Sequence, residues 1–436
     1  MKKWHLHLSV LFKGSCYDEC FFAMTWTNRP GYCWIVLFAG TLAVFAALGL
    51  ARFGYTVVLP AMQTGLGLDN TQAGALATAN LAGYLAMAAI GGALASHLGP
   101  RSVIAAGLAV SGLAMILTGM ADSFLAAAAW RCLTGVGSGA ANIAVMGMWA
   151  AWFPANRRGF AAGIAVSGSS LALIAVGPLA PELMQLYGQS GWRFCWYLFG
   201  AASLAIALLC LLLVRNRGAA SLSLATPYAG ATQTPPAVNR SWSSVYRSWP
   251  VWHLGFVYVA FGFSYIIFMT FFVKHLISAG GYSRAEAGSL FMAMGWASLM
   301  GGFLWGAISD RIGRKHTLVA VYLIHSATFA LFGLTTSRWG FIVAAVCYGL
   351  SAFSIPAIMA AACGDILGHR MAPAALGFVT LFFGIGQAVG PSVAGMMADS
   401  SGSFATALLL ASLVALLGAI GSATLQSRPN QDESGL

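Results

Sequence analysis

Gly306-Ala-Ile-Ser-Asp310-Arg311-Ile-Gly313-Arg314-Lys315 places four charged residues in a short stretch between two long apolar runs. Charged side chains in hydrocarbon are costly, so helices on either side must end here, at the surface of a bilayer. Gly313 permits the tight reversal that joins them. A counterpart stands 214 residues earlier, Gly92-Ala-Leu-Ala-Ser96-His97-Leu-Gly99-Pro-Arg101, with the glycines and the final cation kept. At the same offset Ala73-Gly74 falls on Ala287-Gly288, and at 213 Val176-Gly177-Pro178 falls on Val389-Gly390-Pro391. A one-residue gap in a loop accounts for the slip. The chain therefore contains two copies of one unit, running in the same direction.

Outward from these turns, apolar runs on the order of 20 residues, enough to cross a bilayer, recur along nearly the whole chain. Twelve spans are predicted: Tyr32–Gln63, Thr71–His97, Arg101–Met120, Phe124–Trp152, Gly159–Tyr187, Trp192–Val214, Trp249–Ile277, Ala285–Ser309, His316–Leu334, Phe341–Ile366, Ala372–Met397 and Phe404–Leu425. Composition agrees: of 436 residues 59% are hydrophobic and 8% charged, where a soluble chain carries about a quarter charged. The fold class expected is an all-α membrane protein of two six-helix repeats.

An even number of spans puts both termini on one side. Positively charged loops are retained in the cytoplasm. With the termini inside, sixteen of the 22 Lys and Arg residues fall on inner segments, four on outer ones, and Arg52 and Arg131 within spans. The formal charge of +11 is thus a topology signal. No basic stripe interleaved with aromatics forms a soluble domain, so no nucleic-acid partner is expected; the partners expected are lipid and a small-molecule substrate, around a monomer.

Residues 1–31 read as a cytoplasmic tail, with Met24 an alternative start, and residues 32–214 as the first six-helix bundle. Residues 215–248 change abruptly to Ser, Thr, Pro, Gln and Arg, too polar to fold alone, and form a cytoplasmic linker. Residues 249–425 make the second bundle and 426–436 a second polar tail. Leu6–Phe12 is too short for a signal-peptide core. Cys132, Cys195, Cys210, Cys347 and Cys363 lie in or beside spans and read as small apolar residues. Cys16, Cys20 and Cys33 near His5 and His7 fit no zinc spacing well, so no metal and no cofactor is expected.

The stretch Gly306 to Lys315 resembles the cytoplasmic G-x-x-x-D-R-x-G-R-R/K motif of the major facilitator superfamily. That resemblance implies a gating motif of Gly306, Asp310, Arg311, Gly313, Arg314 and Lys315, in which Gly306 lets helices approach closely and Asp310 faces the N-terminus of the eleventh helix. In the first-half copy Ser96 and His97 replace the acid and the arginine, which predicts a weak latch there. Arg131 opens Arg-Cys-Leu-Thr-Gly135-Val-Gly137-Ser-Gly139, similar to the family's fourth-span motif. Phe153-Pro154 with Arg157-Arg158-Gly159 and Gly191-Trp192-Arg193 also fit the pattern. Leu50-Ala-Arg52-Phe-Gly-Tyr55, Leu59-Pro60, Ala79-Asn80-Leu-Ala-Gly83-Tyr84 and Gly262-Phe-Ser-Tyr265 resemble the YbfB/YjiJ branch of that superfamily. Alternating-access transport by rocking of the halves follows from the resemblance, with substrate between them near the midplane.

In this superfamily the first, fourth, seventh and tenth spans and their neighbours line the cavity. Arg52 lies 11 residues before Gln63, about 16 Å of helix from the outer end and so near the midplane. Tyr55 follows one turn on; Asn80 and Tyr84 form an i,i+4 pair; Tyr265 and Gln387 are polar residues of the seventh and eleventh spans. A deep guanidinium among tyrosines and amides suits a carboxylate, so Arg52, Tyr55, Asn80, Tyr84, Tyr265 and Gln387 are the candidate substrate-binding residues. Glu182, the acid placed deepest in a span, and Arg131 are the candidates for proton coupling. A structural pair between Arg52 and Glu182 is the alternative, as is a packing role for Arg131. His253 and His325 are read as interfacial. The substrate expected is a small organic anion moved with protons, with drug export or sugar transport as alternatives. No H-E-x-x-H or G-x-S-x-G is present, so an enzyme is not expected.

Overall fold

The computed structural model describes residues 31–154, 157–216, 243–367 and 371–425. Most of the 215–248 linker, the first thirty residues and the last eleven lie outside the described residues, as do Cys16 and Cys20. Twelve helical segments follow one another: α1 Tyr32–Leu66, α2 Asn70–Leu98, α3 Pro100–Gly119, α4 Phe124–Trp152, α5 Arg158–Leu186, α6 Gly191–Leu213, α7 Trp249–Ser278, α8 Arg284–Ile312, α9 Arg314–Leu334, α10 Arg338–Leu367, α11 Ala372–Ser401 and α12 Ala405–Ala423. Among the described residues nine of these are long and apolar enough to cross a membrane, or eleven when the bent α2 and α8 each count as one span. α4 is not among them; Arg131, Asn142 and a run of glycines lower its hydropathy, and it lies inside the bundle.

The repeat has a three-dimensional counterpart. α2 starts with a capping box in which the Asp69 side chain accepts from the Gln72 N–H and the Gln72 side chain accepts from the Asp69 N–H. Ser283 and Glu286, 214 residues later, do the same for α8. Each box satisfies two backbone donors that a helix start leaves open. At the other end of these helices Gly99 and Gly313 take positive φ, +81° and +84°, a conformation costly for any residue with a Cβ.

Within the first half α2 packs along α4, α3 against α4 and α6, and α1 against α5; within the second α7 packs on α11 and α12, α9 on α12, and α8 on α10. Among the described residues three helix pairs make most of the contact between the halves: α2 with α11, α5 with α8, and α1 with α7. Their contacts concentrate away from the end that holds Arg101, Arg311 and Lys315, called here the basic end. At the far end a methyl on Gly74 would strike the Pro391 carbonyl, and one on Gly288 the Gly177 carbonyl. There the Asp399 carboxylate, in the last turn of α11, accepts from the Asn70 N–H (3.1 Å), the Thr71 N–H (2.7 Å) and the Thr71 hydroxyl (2.6 Å) at the start of α2. Nearer mid-span Thr78 accepts from Ser392 (2.8 Å) and Ser170 from Ser298 (2.7 Å).

Toward the basic end the same four helices separate: a methyl at Gly92, Gly163, Gly306 or Gly377 would meet nothing within 4 Å. The core divides accordingly. One buried cluster runs through both halves and includes Leu59, Trp196, Phe268 and Tyr322. At the basic end the first half has a cluster of its own, with Val36, Ile104, Trp149 and Cys210. The structure is therefore closed at the far end and open at the basic end. Gly306, expected to bring two helices together, has no close neighbour here because that end is splayed.

Candidate substrate site

α1 changes winding midway. Phe45–Phe53 forms a π-helical stretch, a wide turn of a kind often found at functional sites. One of its carbonyls also takes a side chain from another helix: Arg131 of α4 donates from Nη1 to the Ala51 carbonyl at 2.7 Å. The Arg131 guanidinium also lies against the Tyr55 ring (4.7 Å) and the Trp196 ring (5.0 Å). It is 1% exposed. The Tyr55 hydroxyl donates to the Ala73 carbonyl at 2.7 Å, and Asn80 Nδ2 donates to the Arg131 carbonyl at 3.1 Å. Close approach of α2 and α4 makes this possible, since a methyl at Gly135 would collide with the Asn80 carbonyl. Arg131, Tyr55 and Asn80 thus tie α1, α2 and α4 together, with the Tyr55 hydroxyl already engaged.

Arg52 is placed differently. It lies in the same wide turn, half-buried, with its guanidinium over the Tyr84 ring at 4.4 Å. Nη1 donates to the Tyr265 hydroxyl of α7 at 3.5 Å, a long contact, and the buried Nη2 has no hydrogen-bond partner. Gln387 Nε2 donates to the same Tyr265 oxygen. Asn142, one face of α4 and 11 residues beyond Arg131, donates to the Tyr84 hydroxyl at 2.7 Å. The structure thus brings together Arg52, Tyr84, Tyr265 and Gln387 at the junction of the halves. A water-sized cavity lies beside them, lined by Arg52, Tyr55, Asn80 and Arg131 from the first half and Met269 and Thr270 from the second.

Two placements, those of Glu182 and His325, differ from expectation. Glu182 is exposed, one turn from the far end of α5, and no ion pair joins it to Arg52 among the described residues. The apolar residues that follow Glu182 made it look deeper than it is. His325 is not interfacial: it is fully buried midway along α9. Its ring packs with Phe261, Phe329 and Tyr348 at centroid distances of 5.9, 5.6 and 5.4 Å. Asp310 accepts from Arg314 (2.6 Å), which also donates to Asp365 of α10 (3.2 Å); residues 368–370, leading into α11, lie outside the described ones. Arg311 is exposed and Lys315 partly so, while the Ser96 hydroxyl donates to the Ala93 carbonyl of its own helix. Asn142 was missed by sequence reasoning although its spacing of three turns from Arg131 puts both on one face of α4.

Residues 44–422 match the model of a family described as the uncharacterised MFS-type transporter YbfB. Over 388 residues the chain is 27% identical to the Probable sulfoacetate transporter SauU of Cupriavidus necator, covering 85% of this chain and 89% of that protein. It is 22% identical over 383 residues to the Hexuronate transporter of Bacillus subtilis, with the same two coverages. In fold it is similar to a bacterial homologue of the human lysosomal transporter Spinster in an inward-facing, unoccupied conformation. The TM-score is 0.67, with 91% of this chain and 97% of that one covered and 17% identity.

Proposed function

The chain belongs to the YbfB-type family of major facilitator transporters, and from that premise we propose that it carries a small organic anion, a carboxylate or sulfonate, held on Arg52. That it is a multi-span secondary transporter and not an enzyme follows from the family. The observation that carries the substrate class is the Arg52 guanidinium itself. It is half-buried at mid-span, holds one long hydrogen bond, has a second nitrogen without a partner, and makes no ion pair among the described residues. A charge so placed is expensive unless it serves a ligand or finds a counter-ion, and the fork of a guanidinium matches two oxygens of one anion. The resemblance to proteins named for sulfoacetate and hexuronate, both organic anions, supports the same class.

The basic end is proposed to face the cytoplasm, with both termini there, so that the open cavity is the inward-facing one. The two halves then rock about the α1–α7 contact, and the Asp310–Arg314–Asp365 network steadies the second half at the inner surface. Uptake is proposed to be coupled to protons, with Glu182 exchanging them at the outer side and Arg131 fixing the wide turn of α1. Proton-dependent uptake that survives Glu182→Gln unchanged removes Glu182 from that role.

Counterflow in proteoliposomes tests the substrate class, with wild type beside Arg52→Gln and a panel of labelled carboxylates and sulfonates. Uptake of one acid by the wild type, lost in a folded Arg52→Gln, is the expected result. Indifference of the wild type to every acid refutes the proposal and puts export of apolar compounds in its place.

A further inference from the structure

Arg52 and Tyr265 are 213 residues apart, within one residue of the 214 that relates α2 to α8. The next bond along the same contact has the same spacing, from the Thr56 hydroxyl to the Met269 carbonyl at 2.8 Å. α1 and α7 therefore meet close to the axis that relates the halves, and the cation of one half touches the phenol of the other. The face of the Arg52 guanidinium rests on the Tyr84 ring of its own half, and its edge hydrogen-bonds the second half through that phenolic oxygen. Tyr265 is held rigidly for this: its ring stacks on Phe261 at 4.7 Å and on Phe383 at 5.8 Å, with interplanar angles of 16° and 11°. Its oxygen already receives Gln387 as well as Arg52.

Resting on the anion reading above, we infer that Tyr265 is a stand-in for the substrate: in the empty carrier its oxygen occupies the acceptor position on Arg52 that an anion takes over when it binds. The chemistry of the exchange is one-sided. A neutral phenol at 3.5 Å is a weak acceptor for a guanidinium, whereas a carboxylate or sulfonate brings charge and a second oxygen for the unpartnered Nη2. When the anion arrives, the Arg52–Tyr265 bond between the halves is released, leaving the Gln387 bond to keep the phenol in place. Loading thus loosens the α1–α7 junction about which the halves rock. The empty carrier keeps the bond.

Tyr265→Phe separates this role from that of a substrate ligand by the sign of its effect. The ring and its stacking remain, so the variant should fold, and the loss of the Gln387 partner lowers its melting temperature in the empty and loaded states alike. Direct binding of the counterflow acid, followed as a ligand-induced rise in melting temperature, should be about three- to tenfold tighter in Tyr265→Phe, the worth of one ordinary hydrogen bond removed from the empty state. Were Tyr265 a ligand, the same change would weaken binding by a similar factor. Weaker or unchanged binding in a folded Tyr265→Phe, with Arg52→Gln abolishing it, overturns the stand-in role and leaves the anion site intact. Binding that ignores Arg52→Gln, or no acid bound by the wild type, overturns the anion site and the stand-in with it.

Discussion

The Asp399 carboxylate closes the far end in the manner of a helix cap supplied by another helix, and its removal should open that end by a predictable amount. It accepts two backbone N–H bonds and one hydroxyl bond at the start of α2. There the partial positive charge of the helix adds to the attraction. Loss of a capping oxygen at an exposed helix start costs about 1 kcal/mol, which corresponds to a change of about fivefold in an equilibrium. The bonds join α11 to α2 and break when the far end opens, so that cost falls on the closed form alone. Asp399→Ala should therefore lower the closed-to-open ratio about fivefold. Asp399→Asn keeps an acceptor and loses only the charge, and should lower it about twofold. The readout is a pair of nitroxide labels at Leu125 and Trp339, which start α4 and α10 at the far end and are 77% and 75% exposed. The eight native cysteines are replaced for this purpose, and distances are measured by double electron–electron resonance in lipid nanodiscs. Asp399→Ala should move population from the short to the long distance. The difference between wild type and Asp399→Asn should shrink as salt is raised, since exposed charges are screened. An Ala variant with the wild-type distribution at low salt would refute the idea that this carboxylate holds the halves together.

Two other perturbations act on the same frame. Gly288→Val puts a side chain where the Gly177 carbonyl and Pro181 ring now sit. An overpacking cost of about 1–3 kcal/mol then burdens only the closed far end; the same label pair should show the long distance dominating, with uptake reduced at least about fivefold. Arg131→Met keeps the aliphatic stem but strips the Ala51 carbonyl and both aromatic rings of their partner. It should lower stability by about 2 kcal/mol in a denaturant or thermal melt, with or without ligand; loss of uptake at unchanged stability would instead give Arg131 a direct part in transport.

Most of the architecture could be read from the chain because lipid imposes it: long apolar runs have to be helices, and charges have to mark their ends. The repeat was visible in the same way, through Gly99 and Gly313, whose backbone conformation only glycine adopts readily. The two capping boxes carry a signal as well, an acceptor followed three residues later by Gln or Glu at Asp69 and Ser283. The wide turn of α1 was not legible, since apolar periodicity does not distinguish an α-helix from a π-helical stretch inside a buried run. Nor were the partners of each arginine. Arg52 and Arg131 look alike as isolated cations in spans, and what separates them is that Trp196 and Ala51 enclose one while Tyr265, on another repeat, half-meets the other. Glu182 and His325 were misplaced for a related reason: the bounds of both helices were read to within two residues, but which face of a helix is packed inside the protein depends on neighbours that the sequence does not show.

The meeting of Arg52 with Tyr265 also bears on how such a chain could arise. In a symmetric pair of separate six-helix units, every contact near the axis would occur twice, once from each side. The two guanidiniums would repel. A single such contact requires that the two copies differ, which a single fused chain permits and a homodimer does not. At this place duplication followed by divergence supplied something that symmetry withholds: a cation with a dedicated neutral neighbour.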